Sequence, residues 1–193
     1  MDLNTLRPAL ARDPSGRVDT VVLLIRLGTG FSRSAERVLN GDVSSHSDSE
    51  TIVSASRDIA APAEEIFELI ANPSEQPQWD GNDNLAEAPA GQRVRAVGDV
   101  FVMTLTRGNV RENHVVEFIE GRRIAWRPAE PGLPPPGHLW RWELTPIDAS
   151  RTHVTHTYDW THLTDAGRLP RAKATTADKL RASLDRLAVL AER

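Results

Sequence analysis

The pattern of apolar and polar residues from Thr51 onward predicts a strand followed by a helix. Apolar residues bracket a strand over residues 52–59, which ends at Ala60-Ala61-Pro62. Pro62 suits the first position of a helix, and the acidic residues that follow it lie where the helix dipole favours negative charge. We expect this helix to end before Pro73, and a second, short helical element to lie between Pro73 and Trp79.

After this helical part, the sequence consists of short segments bounded by turn residues. Further strands are predicted over residues 85–88, 100–106, 110–119, 123–127, 139–144 and 152–161. Short turns that contain glycine, such as Arg107-Gly108-Asn109, are typical of neighbouring antiparallel strands. With the first strand, these segments predict a seven-stranded antiparallel sheet.

The last segment, residues 170–193, has the periodicity of a helix. It contains no glycine and no proline after Pro170, and its leucines recur at a spacing of three or four residues. We therefore predict a long amphipathic C-terminal helix. A meander of strands that packs against this helix belongs to the α+β class.

Residues 1–50 differ from the rest of the chain. Residues 41–50 are polar and rich in serine and aspartate, which predicts a linker. Residues 1–40 contain an apolar run and two candidate helices, but these pieces are too small to fold alone. We expect residues 1–50 to be a partly disordered N-terminal extension and linker, and residues 51–193 to be the folded domain. The extension either packs loosely on this domain or acts as a partner-binding arm.

Composition excludes several classes of function. The chain of 193 residues has a formal net charge of −4, so it has no surplus of basic residues for nucleic acid or an anionic membrane surface. It has no cysteine, which excludes disulfides, thiolate metal sites and a cysteine nucleophile. No apolar run approaches the roughly 20 residues of a membrane-spanning helix, and no secretory signal is recognisable. We expect a cytoplasmic protein without a nucleic-acid partner.

Five local motifs follow one another along the predicted domain. They are DIAAPAEEIF at residues 58–67, PQWD at 77–80, VEF with GRRIAW at 116–126, WELTP at 142–146 and THVT at 152–155. In this order they resemble the helix-grip proteins of the SRPBCC superfamily, which includes START, Bet v 1-like and polyketide cyclase/dehydrase proteins. The resemblance covers residues 51–193. It implies a curved seven-stranded antiparallel sheet around a long C-terminal helix, with two short helices after the first strand.

Strand alternation predicts which side chains face the C-terminal helix. In the last strand, Val154 shares its face with His156, Tyr158 and Trp160, whereas threonines and an aspartate occupy the other face. Most aromatic rings of the chain converge on the same inner face, and flat indoles suit an aromatic or polycyclic ligand. The predicted ligand-binding residues are Met103, His114, Phe118, Trp126, Trp140, Trp142, Tyr158 and Trp160. The alternative is that these rings only fill the core.

The faces of strand 110–119 depend on its regularity. Val116 and Phe118 are expected to face inward, which predicts that Glu112 and His114 also face inward. A bulge between the two pairs would reverse the faces of Glu112 and His114.

Polar residues on the inner face provide candidates for catalysis. If the protein is an enzyme, Glu112, His156 and Tyr158 are the candidate catalytic residues, because enolate chemistry needs a base and a proton donor. The alternative is that these groups and His114 only hydrogen-bond to one another, or lie near a wet mouth of the cavity. A metal site built from Glu112, His114 and His156 lacks recognisable ligand spacing, so we predict no metal and no other cofactor.

Three functions remain open at this stage. The first is binding of a hydrophobic small molecule, lipid, aromatic or polyketide-like, between the sheet and the C-terminal helix. The second, which the resemblance implies, is a polyketide cyclase or dehydratase activity in the same pocket. The third is an interaction or regulatory role of the N-terminal extension. Since similar folds carry many functions, the choice among these three depends on the residues of the pocket.

Overall fold

The computed structural model describes residues 51–193. The predicted extension and linker, and with them the hypothesis of an interaction protein that acts through residues 1–50, lie outside these residues. Within them, no helix is long and apolar enough to cross a bilayer.

Seven strands and four helices make up this domain. In chain order they are β1 (Ile52–Ile59), α1 (Ala63–Ala71), α2 (Gln76–Trp79), β2 (Leu85–Glu87), β3 (Val100–Leu105), β4 (Val110–Ile119), β5 (Arg123–Ala129), β6 (Leu139–Asp148), β7 (Arg151–Asp159), α3 (Leu169–Lys173) and α4 (Ala177–Ala191). Two short 3₁₀ turns, Pro73–Glu75 and Ala166–Arg168, precede α2 and α3. Every predicted strand is present.

The strands form one sheet in the order β1-β7-β6-β5-β4-β3-β2, and all neighbours are antiparallel. Each pair that is adjacent in sequence from β2 to β7 is also adjacent in the sheet. β1 pairs with β7, so the first and last strands lie side by side. The predicted α+β helix-grip fold is confirmed.

Helix α4 packs on β1 and β7 through one apolar face. Leu180, Leu184 and Leu187 of this face are completely buried, as their helical spacing predicts. Helix α1 adds Ile66 and Ile70 to the same core, and both are also fully buried.

The C-terminal helix differs from the prediction in being interrupted. The segment predicted as one helix forms α3 and α4, and Thr176 between them is extended, with φ −108° and ψ 162°. The Thr175 hydroxyl donates to the carbonyl of Arg171 at 3.3 Å. Side-chain bonds of this kind, together with β-branching, weaken a helix. The interruption separates α3 from α4, and α3 covers the sheet as an element of its own.

Strand β4 contains one extra residue. Val115 pairs with Trp126 and Glu117 pairs with Ala125, so Val116 has no partner on β5. Such a bulge reverses the alternation of side chains between the two parts of a strand.

Candidate ligand-binding site

A cavity of about 650 Å³ lies between the concave face of the sheet and the helices. Strands β3 to β7 form its floor. Its other side is formed by α2, the loop after α2, α3 and the first turn of α4.

The inner wall of the cavity is aromatic. Trp126, Trp140, Trp142 and Tyr158 line it from β5, β6 and β7, as the sequence predicts, and Met103 joins them from β3. Trp79, which was not among the predicted ligand-binding residues, also lines the cavity. It belongs to α2, and its indole N–H donates to the carbonyl of Leu69 at 2.9 Å.

The rings of the wall hold one another in place. The centroids of Trp140 and Tyr158 are 4.2 Å apart, and those of Trp79 and Trp142 are 5.0 Å apart in an edge-to-face arrangement. The imidazole of His156 stacks on Trp142 at 3.7 Å with an interplanar angle of 12°. Packing of this density restricts the side-chain rotamers, so the wall is formed before any ligand arrives.

Three residues predicted to bind the ligand do not line the cavity, and two of them, Phe118 and Trp160, are aromatic. Phe118 packs edge-to-face against Phe67 of α1, with the ring centroids 5.7 Å apart. Trp160 follows the end of β7 and is buried in the hydrophobic core, with its ring 5.3 Å from that of Tyr158. Both rings face inward, but they pack against the hydrophobic core and not against the open cavity.

The prediction that Glu112 and His114 face inward is wrong, because the bulge at Val116 reverses the faces of the preceding residues. Arg111 and Asn113 line the cavity instead. The Glu112 carboxylate accepts a hydrogen bond from the backbone N–H of Gly132 at 3.1 Å, outside the cavity. The adjacent valines at positions 115 and 116 interrupt the alternation and were the available sign of this irregularity.

The reversal also separates the three residues considered for a metal site. His156 lines the cavity, whereas Glu112 and His114 face the opposite side of the sheet. Within residues 51–193, no three histidine, aspartate or glutamate side chains are grouped so that they could hold a metal ion.

His156 and Tyr158 are both uncharged in this site. Burial lowers the pKa of His156 to about 3, although the backbone of Leu180 opposes the shift in part. Burial raises the pKa of Tyr158 to about 12, and this shift is opposed by Arg171 and Arg168. Near neutral pH, the site therefore offers a neutral imidazole and a protonated phenol.

His138 is a cavity residue that sequence reasoning missed, because it lies in the loop before β6, where alternation gives no information. Its ring is 6.0 Å from that of Tyr158 in an edge-to-face arrangement. Burial lowers the pKa of His138 to about 4, and the positive charges of Arg168, Arg171 and Arg111 contribute to the shift. The three arginines also line the cavity, and none of them was predicted.

Comparison with known proteins gives one family and many similar folds. The family described as polyketide cyclase/dehydrase and lipid transport matches residues 50–192. An uncharacterized protein of Mycobacterium tuberculosis is 27% identical over 119 residues, which are 56% of this chain and 47% of the relative. The chain thus spans about half the length of the curated relatives that it matches.

Two solved structures illustrate the likeness in fold. The Zhui aromatase/cyclase from Streptomyces sp. R1128 has a TM-score of 0.54 and 19% identity, and the match covers 74% of this chain and 93% of that one. A START superfamily protein from Mycobacterium smegmatis has a TM-score of 0.53 and 17% identity, with coverages of 73% and 97%. At these identities the likeness establishes the helix-grip fold.

Proposed function

This chain belongs to the polyketide cyclase/dehydrase and lipid transport family, and from this premise we propose that residues 51–193 bind a hydrophobic small molecule with an aromatic or polycyclic body. The observation that carries the proposal is the aromatic wall of the cavity, in which Trp126, Trp140 and Tyr158 face about 650 Å³ of space. We further propose that residues 1–50 are an extension distinct from this domain, since the family match begins at residue 50.

The size of the cavity supports a ligand site. Protein interiors pack with few voids larger than a water molecule, whereas small-molecule sites have volumes of about 300–1,000 Å³. A cavity in this range, lined by large rings that hold one another, is therefore far larger than a packing defect. Flat rings favour flat ligands, because stacked and edge-to-face contacts add to the burial of apolar surface.

Several polar atoms could orient the ligand. Among the described residues, Nε1 of Trp142 and Nδ1 of both His138 and His156 are buried and have no hydrogen-bond partner. All three residues line the cavity. A buried polar atom without a partner costs free energy, so a ligand group that reaches one of these nitrogens would bind more tightly.

The electrostatics of the site favour binding over acid–base catalysis. A general base works best when its pKa is near the working pH, and a pKa of about 3 makes His156 a weak base. Glu112, the other candidate base, is directed away from the cavity. Tyr158 keeps its proton and can donate a hydrogen bond to a carbonyl group of the ligand.

The proposal is tested by isothermal titration calorimetry of the full chain with neutral aromatic amides, 2-naphthamide and anthracene-2-carboxamide, and with dodecanamide. We expect the aromatic amides to bind more tightly than the acyl amide. Trp140→Phe should weaken their binding about 3- to 10-fold, because an indole face is lost from the wall. The matched control is Trp160→Phe, which changes an indole outside the cavity and should leave affinity unchanged. Absence of binding by all three compounds, and absence of any bound molecule in native mass spectra of the freshly purified chain, would refute the proposal.

A further inference from the structure

Five basic residues line the cavity: Arg107, Arg111, Arg168, Arg171 and Lys179. Arg107 lies in the exposed β3–β4 turn and Lys179 is an exposed residue of α4, whereas the positive charges of Arg168 and Arg171 act on Arg111. Arg111 belongs to β4, Arg168 ends the 3₁₀ turn before α3, and Arg171 belongs to α3. The side chains of Arg111 and Arg168 are partly buried, whereas Arg171 is exposed. This basic cluster, as we call Arg111, Arg168 and Arg171, is a local feature, because the whole chain has a formal net charge of −4.

Among the described residues, two members of the basic cluster have no carboxylate partner, whereas the third, Arg168, has two. Within residues 51–193, neither Arg111 nor Arg171 forms a salt bridge. Nη1 of Arg111 donates to the carbonyl of Val110 at 2.8 Å. Arg168 pairs with Glu130 at 2.8 Å and with Asp165 at 3.0 Å.

Arg171 also contacts the loop after α2, which covers the cavity beside α3. In the orientation that satisfies its hydrogen bonds, the amide of Asn84 donates to Asp80 and accepts from Nη2 of Arg171 at 3.0 Å. Asn84 lies in the loop after α2, so Arg171 faces both this loop and the interior of the cavity. A guanidinium in this position has further donors available for a ligand.

The acidic residues that line the cavity are engaged elsewhere. The Asp80 carboxylate accepts hydrogen bonds from three backbone N–H groups of its own loop. Asp83 pairs with Arg186 of α4 at 2.7 Å. Neither carboxylate forms a salt bridge with the basic cluster, so Arg111 and Arg171 keep their positive charges toward the cavity.

The members of the basic cluster are close enough to act on one another. Burial lowers the pKa of Arg111, the positive charges of Arg168 and Arg171 lower it further, and the negative charge of Glu130 opposes the shift. Like charges that are held together and partly desolvated repel one another, and an anion placed among them removes this repulsion.

We infer that the ligand is an amphipathic organic acid, whose apolar body contacts the aromatic wall while its anionic head group is bound by Arg111, Arg168 and Arg171. This inference rests on the proposed function, because it assumes that the body of the ligand occupies the cavity. Guanidinium groups suit this role, since each one presents paired donors to a carboxylate or phosphate.

The test compares carboxylates with the amides of the same carbon skeleton, by titration calorimetry of the full chain. The pairs are 2-naphthoate with 2-naphthamide, and anthracene-2-carboxylate with anthracene-2-carboxamide. We expect each carboxylate to bind at least tenfold more tightly than its amide at low ionic strength. Raising the salt concentration from 50 to 500 mM (on the order of a threefold shorter screening length) should weaken only the carboxylates.

Arg111→Gln and Arg171→Gln should each weaken carboxylate binding about tenfold and leave amide binding unchanged. The matched control is Arg122→Gln, an exposed arginine of the β4–β5 turn that does not line the cavity. Because Arg171 is exposed, Arg171→Gln is expected to fold, and it tests the inference even if Arg111→Gln does not fold.

The outcomes separate this inference from the proposed function. Equal affinities for carboxylate and amide would overturn the inference and leave the proposed function standing. Equal losses for both members of a pair in the arginine variants would also overturn it. If no compound of either kind binds, the proposed function fails and the inference fails with it.

Discussion

The space under the sheet has two parts that differ in what covers them. In one, α4 packs on β1 and β7, α1 packs on α4 and β6, and both helices fill the space with aliphatic side chains such as Ile70 and Leu184. In the other, the short helices α2 and α3 and their loops cover β3 to β6 and leave about 650 Å³ open. The same sheet therefore supplies a core at one end and an open cavity at the other.

The difference between the two parts lies in the covering elements. A helix of 15 residues presents several buried positions on one face, and α4 uses them for leucine. The short α3 cannot present such a face, and its residues toward the cavity are small or charged, among them Ala172 and Arg171. Substitutions should consequently affect folding in the filled part and ligand binding in the open part.

The largest effect on folding is expected in the filled part. Leu184→Ala should lower the free energy of unfolding by about 3 kcal/mol or more, because a fully buried leucine leaves a cavity that its neighbours cannot fill. Urea denaturation measures this loss. Val189→Ala, at a position of α4 that is 63% exposed, is the control and should change stability by less than about 0.5 kcal/mol. A loss below about 1 kcal/mol at Leu184 would contradict a closely packed core.

An intermediate effect, about 2 kcal/mol at pH 5, should appear at the boundary between the two parts. His156 is neutral when folded, with a pKa of about 3, but takes up a proton in the unfolded chain near its ordinary value of 6.5. Its contribution is thus fully present above about pH 6.5 and is lost as the pH falls toward 3, by about 1.4 kcal/mol per pH unit. Urea titrations at several pH values from 7 to about 4 give the free energy of unfolding as a function of pH. In His156→Gln, the slope of this dependence should be shallower by about 1.4 kcal/mol per pH unit.

His138 also lowers the stability at acid pH, but over a narrower pH range, because its pKa in the folded protein is about 4. Some loss of stability at acid pH should therefore persist in His156→Gln. The control is Val189→Ala at an exposed position of α4, which removes no titratable group and should keep the slope of the wild type. An unchanged slope in His156→Gln would mean that this imidazole is protonated in the folded protein.

The smallest effect on folding is expected at the basic cluster. Arg171→Gln should change the free energy of unfolding by less than about 0.5 kcal/mol in the absence of ligand, because the side chain is exposed. The same urea titration applies at neutral pH. A loss above about 1.5 kcal/mol would show that α3 is part of the folding core, and the division into two parts would no longer hold.

The regular strands allowed the aromatic wall to be predicted from the sequence. In β6 and β7 the pairing is uninterrupted over the relevant residues, so Trp140, Trp142, His156 and Tyr158 follow from alternation alone. The leucines of α4 likewise follow from helical spacing. Both patterns depend on neighbours in the sequence, and local periodicity is sufficient to find them.

The basic cluster could not be predicted in the same way. The face of Arg111 depends on the position of a bulge, which the pairing of β4 with β3 and β5 determines. Arg168 and Arg171 lie in a segment that the interruption separates from α4. These positions result from contacts between distant parts of the chain, so the strand and helix periodicity of the sequence does not predict them.

The extra residue in β4 also governs how relatives of this protein can be aligned. A relative whose strand lacks the counterpart of Val116 requires a gap at that position. If the gap is placed before Arg111 instead, then Arg111 and Asn113 are matched with residues on the outer surface of the relative. Ligand contacts are therefore transferable between relatives only by counting along the paired strands, outward from the pair of Val115 and Trp126.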